Sequence, residues 1–276
     1  MNRRKFLKWT GCITATTGLT AAASYPFLET KRLEFTLASL RLPKLPPEFE
    51  GTSIAFLSDL HHGPYVSLSY LRSAIAKTAE LKPDLILLGG DYVSKSPKFI
   101  DPVFSELRRL NAPLGKFGVL GNHDHWESES QTRAAMLREG VIDLTNRGVW
   151  IEKGDARIRV GGVGDLWCDH QFLDKALGDA TDSDASIVLS HNPDFVEKST
   201  NPRVGLFLSG HTHGGQVFVP GYGAPVVPSA YGQKYRQGLV QGPISQVYVS
   251  RGVGTSGPPI RSFCRPEVVM IQLLRA

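Results

Sequence analysis

Residues 54–62 read Ile-Ala-Phe-Leu-Ser-Asp-Leu-His-His, four apolar residues followed by a cluster able to hold a cation or move a proton. A run this short, apolar at every position, suits a strand buried on both faces. The same pattern recurs downstream. Asp84–Leu88 runs into Gly89-Gly90-Asp91, and Phe117–Leu120 into Gly121-Asn122-His123-Asp124. Ser186–Leu189 leads into Ser190-His191-Asn192, and Gly205–Leu208 into Ser209-Gly210-His211-Thr212-His213. Between these runs lie amphipathic stretches, Leu68–Leu81 and Gln131–Glu139, the first with Leu71, Ile75 and Ala79 at helical spacing. Strands alternating with helices predict an α/β architecture, whose working residues gather beyond the carboxyl ends of the strands. The second half adds β signals at Arg157–Val160, Gln216–Val219, Gln246–Ser250 and Glu267–Leu274. Two sheets packed face to face, with helices outside, follow as the expected fold.

The chain opens on Arg3-Arg4-Lys5-Phe6-Leu7-Lys8, then a weakly apolar stretch rich in Thr and Ala that ends near Ala21-Ala22-Ala23. This is a poor membrane span and a good twin-arginine export leader, with the three alanines as a cut site and retention as a membrane anchor as the alternative. Residues 1–30 are assigned to the leader and 31–276 to one catalytic domain. Leu33, Phe35 and Leu37 alternate as a strand before Pro43, Pro46 and Pro47 end it. Only the first 23 residues are strongly basic; the remainder carries 27 basic against 26 acidic residues. A nearly neutral body argues against a nucleic-acid partner. No Cys-x-x-Cys occurs, which argues against a thiolate zinc site; Cys168 and Cys264 either pair after export or stay free.

Asp, Asn and His suit Mn, Zn or Fe as divalent or trivalent ions. Asp59 and His61 stand two residues apart, as do His211 and His213, a spacing that sends both side chains from the same side of an extended strand end. Asp91 follows two glycines and is placed to bridge two cations, while Asn122 and His191 complete seven ligands for two ions.

The ordered set Asp-Leu-His, Gly-Gly-Asp, Gly-Asn-His-Asp, Ser-His and Gly-His-Thr-His resembles the calcineurin-like metallophosphoesterases, and the wider pattern is similar to their bacterial YkuE/YaeI-like phosphodiesterase branch. The resemblance implies a four-layer α/β/β/α sandwich. It places Asp59, His61, Asp91 and His213 on one metal, and Asp91, Asn122, His191 and His211 on the other. It makes His123 the general acid, oriented or tuned by Asp124. The implied activity is hydrolysis of a phosphodiester or pyrophosphate, with a lipid-linked molecule such as UDP-2,3-diacylglucosamine among the substrates. An exported phosphomonoesterase, or an envelope binding protein with a vestigial metal site, is the alternative. Expected partners are the twin-arginine translocase and the membrane or cell-envelope surface, and the expected place is the extracytoplasmic side.

Outside the motifs, His62 and His125 either contact phosphate or support their neighbours. His170 reads as a surface residue, and Asp165 and Trp167 as a turn and its packing. Arg251 and Arg261 are candidates for phosphate binding; a loop-to-backbone clamp is the competing role. The Pro-, Gly- and Tyr-rich loop Pro220–Tyr235 is expected at the mouth of the site.

Overall fold

The computed structural model describes residues 24–276; most of the segment expected to be a leader, residues 1–23, lies outside the described residues. In chain order the elements are β1 (Glu34–Leu42), β2 (Ser53–Leu57), α1 (Leu68–Glu80), β3 (Leu85–Leu88), α2 (Ile100–Leu107), β4 (Lys116–Gly118), α3 (Asn122–Arg138) and β5 (Ile142–Asp143). Then follow β6 (Arg147–Lys153), β7 (Ala156–Gly162), α4 (Leu173–Leu177), β8 (Ser186–Leu189), β9 (Leu206–Ser209), β10 (Gly238–Gln241), β11 (Gln246–Val249) and β12 (Glu267–Arg275). One sheet has the order β1-β12-β2-β3-β4-β5 and the other β10-β11-β9-β8-β7-β6.

Alternation inside each apolar run decides the layering. Ile54 and Phe56 of β2, Leu85 and Leu87 of β3, Ile187 and Leu189 of β8, and Leu206 and Leu208 of β9 meet in one core between the sheets. Their neighbours Ala55, Leu57, Ile86 and Leu88 face outward onto α1, α2 and α3, through Leu71, Ile75, Phe104 and Met136. On the far side Val188, Phe207 and Val247 are covered by Ala176 and Leu177 of α4 and by Phe195 and Val196 of a 3-10 turn. The expected double-sheet sandwich is observed, with an unequal outer covering. Three helices overlie the first sheet, whereas the second has one five-residue helix and irregular chain.

Strands β2, β3 and β4 run parallel, as do β7, β8, β9 and β11. Parallel runs deliver their carboxyl ends to one edge of each sheet. The expected strand Gln216–Val219 does not form; it makes only isolated bridges, Val217 to Ser262 and Val219 to Gly223. Gly215 (φ 75°) and Gln216 (φ 56°) turn the chain in the left-handed region just before it, so no extended run can start. The helix expected at Gln131–Glu139 is the second part of α3, which begins at Asn122 and kinks at Ser128 (φ −176°, ψ 101°). No described helix is long and apolar enough to cross a membrane.

Residues 24–29 are helical and attached to the domain expected to begin at residue 31. The Pro26 carbonyl accepts from the Arg261 amide at 2.9 Å, and Glu29 Oε1 accepts from the Cys264 amide at 2.8 Å. Residues 24–29, inside the segment assigned to the leader, are thus hydrogen-bonded to the folded domain.

Candidate active site

The five polar clusters meet between the carboxyl ends of the two sheets. Asp59, Asp91, His61, His191, His211 and His213 are each at most 6 % exposed. Nε2 of His61 and Nε2 of His213 lie 2.9 Å apart, and Oδ1 of Asp59 stands 3.3 Å from the latter. Asp91 Oδ2 is 3.5 Å from His61 Nε2 and 3.2 Å from His191 Nε2, so one carboxylate oxygen stands between two groups of nitrogen donors. His211 Nδ1 and Asn122 Oδ1 face each other at 3.0 Å. Three sets of donors converge to within 4.8 Å: Asp59, His61 and His213; Asp59, Asp91 and His191; and His61, Asp91 and His123.

The backbone that makes this convergence possible is not extended. Asp59 (φ 55°), His61 (φ 47°), Asp91 (φ 56°), His211 (φ 66°) and His213 (φ 52°) all lie in the left-handed region. Two residues apart, Asp59 and His61 thus meet through consecutive left-handed bends after β2 has ended, not through strand pleat; His211 and His213 do the same after β9. Each such residue costs about 1–3 kcal/mol, and such conformations cluster where function requires a geometry. Their neighbours must be bare. A Cβ on Gly121 would collide with the Asp91 carboxylate, and one on Gly210 would overlap Ser58 Oγ and Asp59 Oδ2.

Burial pushes the imidazoles of His61 and His211 down to about 3, and that of His213 well down. They are neutral near pH 7, with lone pairs open to a cation. Burial pushes Asp59 up to about 6; it would raise Asp91 too, but His191 and His61 beside it outweigh burial and hold it well below its usual range. His191 donates through Nδ1 to the Gly89 carbonyl at 2.7 Å, which turns Nε2 toward Asp91; burial would lower this imidazole, but Asp91 beside it outweighs burial and raises it well above its usual range. Its Nε2 is buried without a hydrogen-bond partner. Buried carboxylates beside neutral imidazoles demand positive charge, and this donor set fits Mn, Zn or Fe.

Residues 52–215 match the family of calcineurin-like phosphoesterases. The chain belongs to that family. It is 34 % identical over 280 residues to metallophosphoesterase YkuE of Bacillus subtilis, covering 99 % of this chain and 98 % of that protein. With phosphodiesterase YaeI of Escherichia coli the identity is 34 % over 281 residues, covering 99 % and 100 %. A solved structure, NAD nucleotidase of Haemophilus influenzae, aligns at a TM-score of 0.47 and 14 % identity over 71 % of this chain and 44 % of that one. The family uses divalent metals, and this phosphoesterase is a metal-dependent phosphoester hydrolase with candidate ligands in place.

Over the cluster of candidate ligands lies a cavity of about 680 Å³. Asp91, Asn122, His123, His211 and His213 line its floor. His123 Nε2 is 3.3 Å from Ser256 Oγ, and its ring packs edge-on against His61 and beside Trp126. Asp124 sits elsewhere than expected. Its Oδ2 accepts from the amides of Asp91 (2.8 Å) and Gly121 (2.9 Å), and its Oδ1 from that of Tyr92 (2.9 Å). Asp124 therefore binds the Asp91 loop to the Gly121 loop and has no described bond to His123, whose buried Nδ1 lacks a hydrogen-bond partner.

The three proposed substrate contacts are not brought to the cavity. His62 is buried, with Nδ1 3.0 Å from the Val66 carbonyl and its ring against Phe99. Arg251 pairs with Glu267 at 2.6 Å and Glu34 at 3.1 Å. Arg261 is fully buried and donates to the carbonyls of Arg251 and Gly254 at 2.6 Å and of Cys264 at 3.1 Å. Both arginines are clamps, because carbonyls and carboxylates within the fold already occupy their forks. His125 is 3.2 Å from Glu129, and Cys168 and Cys264 are unpaired.

Asp165 does hold a turn, accepting from the amides of Trp167 and Cys168. Trp167 lies in that turn but packs away from it: it is 54 % exposed, lines the cavity, and stands edge-on to His211 with centroids 4.4 Å apart. Trp126 and Trp167 lie nearly parallel, 6.3 Å apart. Facing them, Pro225, Val226 and Pro228 of the Pro220–Tyr235 loop form part of the wall. The adjacency of Trp126 to Gly-Asn-His-Asp was the sequence signal available for it; nothing in the chain order announced Ser256.

Proposed function

We propose that the chain is a two-metal phosphodiesterase. Asp59, His61, Asp91 and His213 hold one ion, and Asp91, Asn122, His191 and His211 the other. The single observation that carries this reading is the position of Asp91 Oδ2, between the nitrogens of His61 and His191. Bound there, two divalent ions supply an acidified water and positive charge for the phosphoryl oxygens.

The protein's own groups do the rest. His123 stands on the cavity floor beside the ligand cluster and carries the proton that the leaving oxygen receives. The Ser256 hydroxyl at its Nε2 orients the ring. Asp124 keeps the Asp91 and Gly121 loops in register, which places Asp91 and His123 on the same side. The cavity continues away from the ligand cluster along Trp126, Trp167, Val226 and Ile260, and among the described residues Lys95 is the only Lys or Arg lining it. A diester carries one charge and a second organic group, which suits one cation and an apolar wall better than a dianionic monoester does. The same wall supports a lipid-linked substrate, with UDP-2,3-diacylglucosamine as the specific candidate. A leader of the twin-arginine type supports export, after folding and metal loading, to the outer face of the membrane.

The test is turnover of bis-p-nitrophenyl phosphate against p-nitrophenyl phosphate with Mn²⁺, together with metal content. Two ions per chain and faster diester turnover are expected. Faster monoester turnover overturns the diester assignment, and an inert chain with fewer than two ions overturns the two-metal reading.

A further inference from the structure

A chain of contacts leads from the ligand cluster to the helix of residues 24–29, through Cys264 and Glu29, which lie outside the five ligand motifs. The His213 carbonyl accepts from Cys264 Sγ at 3.3 Å, and the Gly214 carbonyl lies 3.5 Å from the same sulfur. Cys264 is buried, and its own amide donates to Glu29 Oε1 at 2.8 Å. The residue before it, Phe263, is held at φ 50°, a left-handed conformation that a bulky residue keeps only when its surroundings over-determine it. Glu29 is 1 % exposed, so its carboxyl group is removed from water in order to sit there. Burying a carboxyl group is costly unless it is hydrogen-bonded, and the bond that Glu29 makes is to the Cys264 amide.

We propose that Glu29 is a positioning residue of the metal centre. Its carboxyl group fixes the Cys264 amide, and this holds the strained Phe263–Cys264 backbone against the turn that presents His213. Two further bonds brace the same loop: the Arg261 amide to the Pro26 carbonyl, and Arg261 Nη1 to the Cys264 carbonyl. Because His213 is placed by a left-handed backbone (φ 52°) and not by a strand or long helix, its loop needs outside support to stay in that conformation. The helix of residues 24–29 provides it. The inference rests on His213 as a ligand of the metal shared with Asp59 and His61, and is independent of the substrate.

The experiment is a Co²⁺ titration of the full chain after chelation, followed by cobalt absorption and by metal content. Loss of support beyond a metal ligand typically weakens affinity about 10–100-fold. Glu29→Ala is expected to weaken one of the two sites to that extent and to leave the other unchanged. Glu29→Gln keeps an acceptor oxygen for the Cys264 amide and is expected to restore tight binding at both. Equal titration of wild type and Glu29→Ala overturns the proposal; so does equal weakening of both sites, or a Gln variant as weak as the Ala variant. If Glu29→Ala does not fold, Glu29→Asp is read instead: its shorter side chain draws the carboxylate back from the Cys264 amide, so it must weaken one site selectively, and wild-type binding overturns the proposal. Asp91→Asn, run in parallel, must disturb both sites; if it does not, the two-metal reading has failed and not the role of Glu29.

Discussion

The floor of the cavity and the cluster beneath it are polar, buried and held in left-handed backbone at Asp59, His61, Asp91, His211 and His213. The wall beside it, with Trp126, Trp167, Val226 and Ile260, is apolar and in large part exposed, without that backbone strain. Strain is concentrated where donors must converge on a point. Apolar contact tolerates shifts that coordination does not, so the wall can be assembled from ordinary loops. A mutation in the floor should therefore abolish chemistry, whereas one in the wall should change which substrate is preferred.

The sharpest way to break that division is Asp91→Asn. Removal of the charge between the two donor groups is expected to lower turnover by about 10⁴-fold, the several kcal/mol of charge stabilisation that paired ions supply. Metal content should fall with it; activity near wild type would dissolve the distinction. Next comes His123→Ala. It is expected to slow esters of poor leaving groups by about 10²–10⁴-fold, the range of a general acid, and to spare activated p-nitrophenyl esters. Bound metal should stay at two ions, and loss of one would make His123 a ligand, as its place near His61 and Asp91 permits. Asp124→Ala should do the opposite, weakening metal binding about 10–100-fold because the Asp91 loop loses its anchor. Unchanged metal affinity with slower chemistry would return Asp124 to the role of partner of His123. The smallest effect belongs to the wall. Trp126→Ala or Trp167→Ala should raise KM about tenfold for esters with a long apolar group, at about 0.5–1.5 kcal/mol per aromatic contact, with kcat kept. Equal effects on small and large esters would show that the wall does not select.

These regions differed just as much in what could be read before folding. Each floor residue sits at the end of an apolar run, and the strand-end rule alone brings Asp59, Asp91, Asn122, His191 and His211 to one place. The roles of Asp124, Arg251, Arg261 and Trp167 could not be read that way. A carboxylate next to a catalytic histidine can point to the imidazole or to a backbone amide, and the choice depends on loops thirty residues away. An arginine in a Gly- and Pro-rich tail looks the same whether its fork meets phosphate or carbonyl oxygens. For Arg261 the decision came from chain folded around it on every side. The strand expected at Gln216–Val219 failed for a related reason, since alternation cannot reveal that the preceding turn is left-handed.

By itself, then, the sequence determined the layered α/β fold and which polar side chains gather at the strand ends, because period-two burial and polar strand ends are local signals that survive in linear order. Tertiary structure alone decided how the donors converge, which charges face the cavity, and that residues 24–29 belong to the unit that holds His213. Those outcomes depend on contacts between segments up to 235 residues apart, as between Glu29 and Cys264, and no local pattern carries that information.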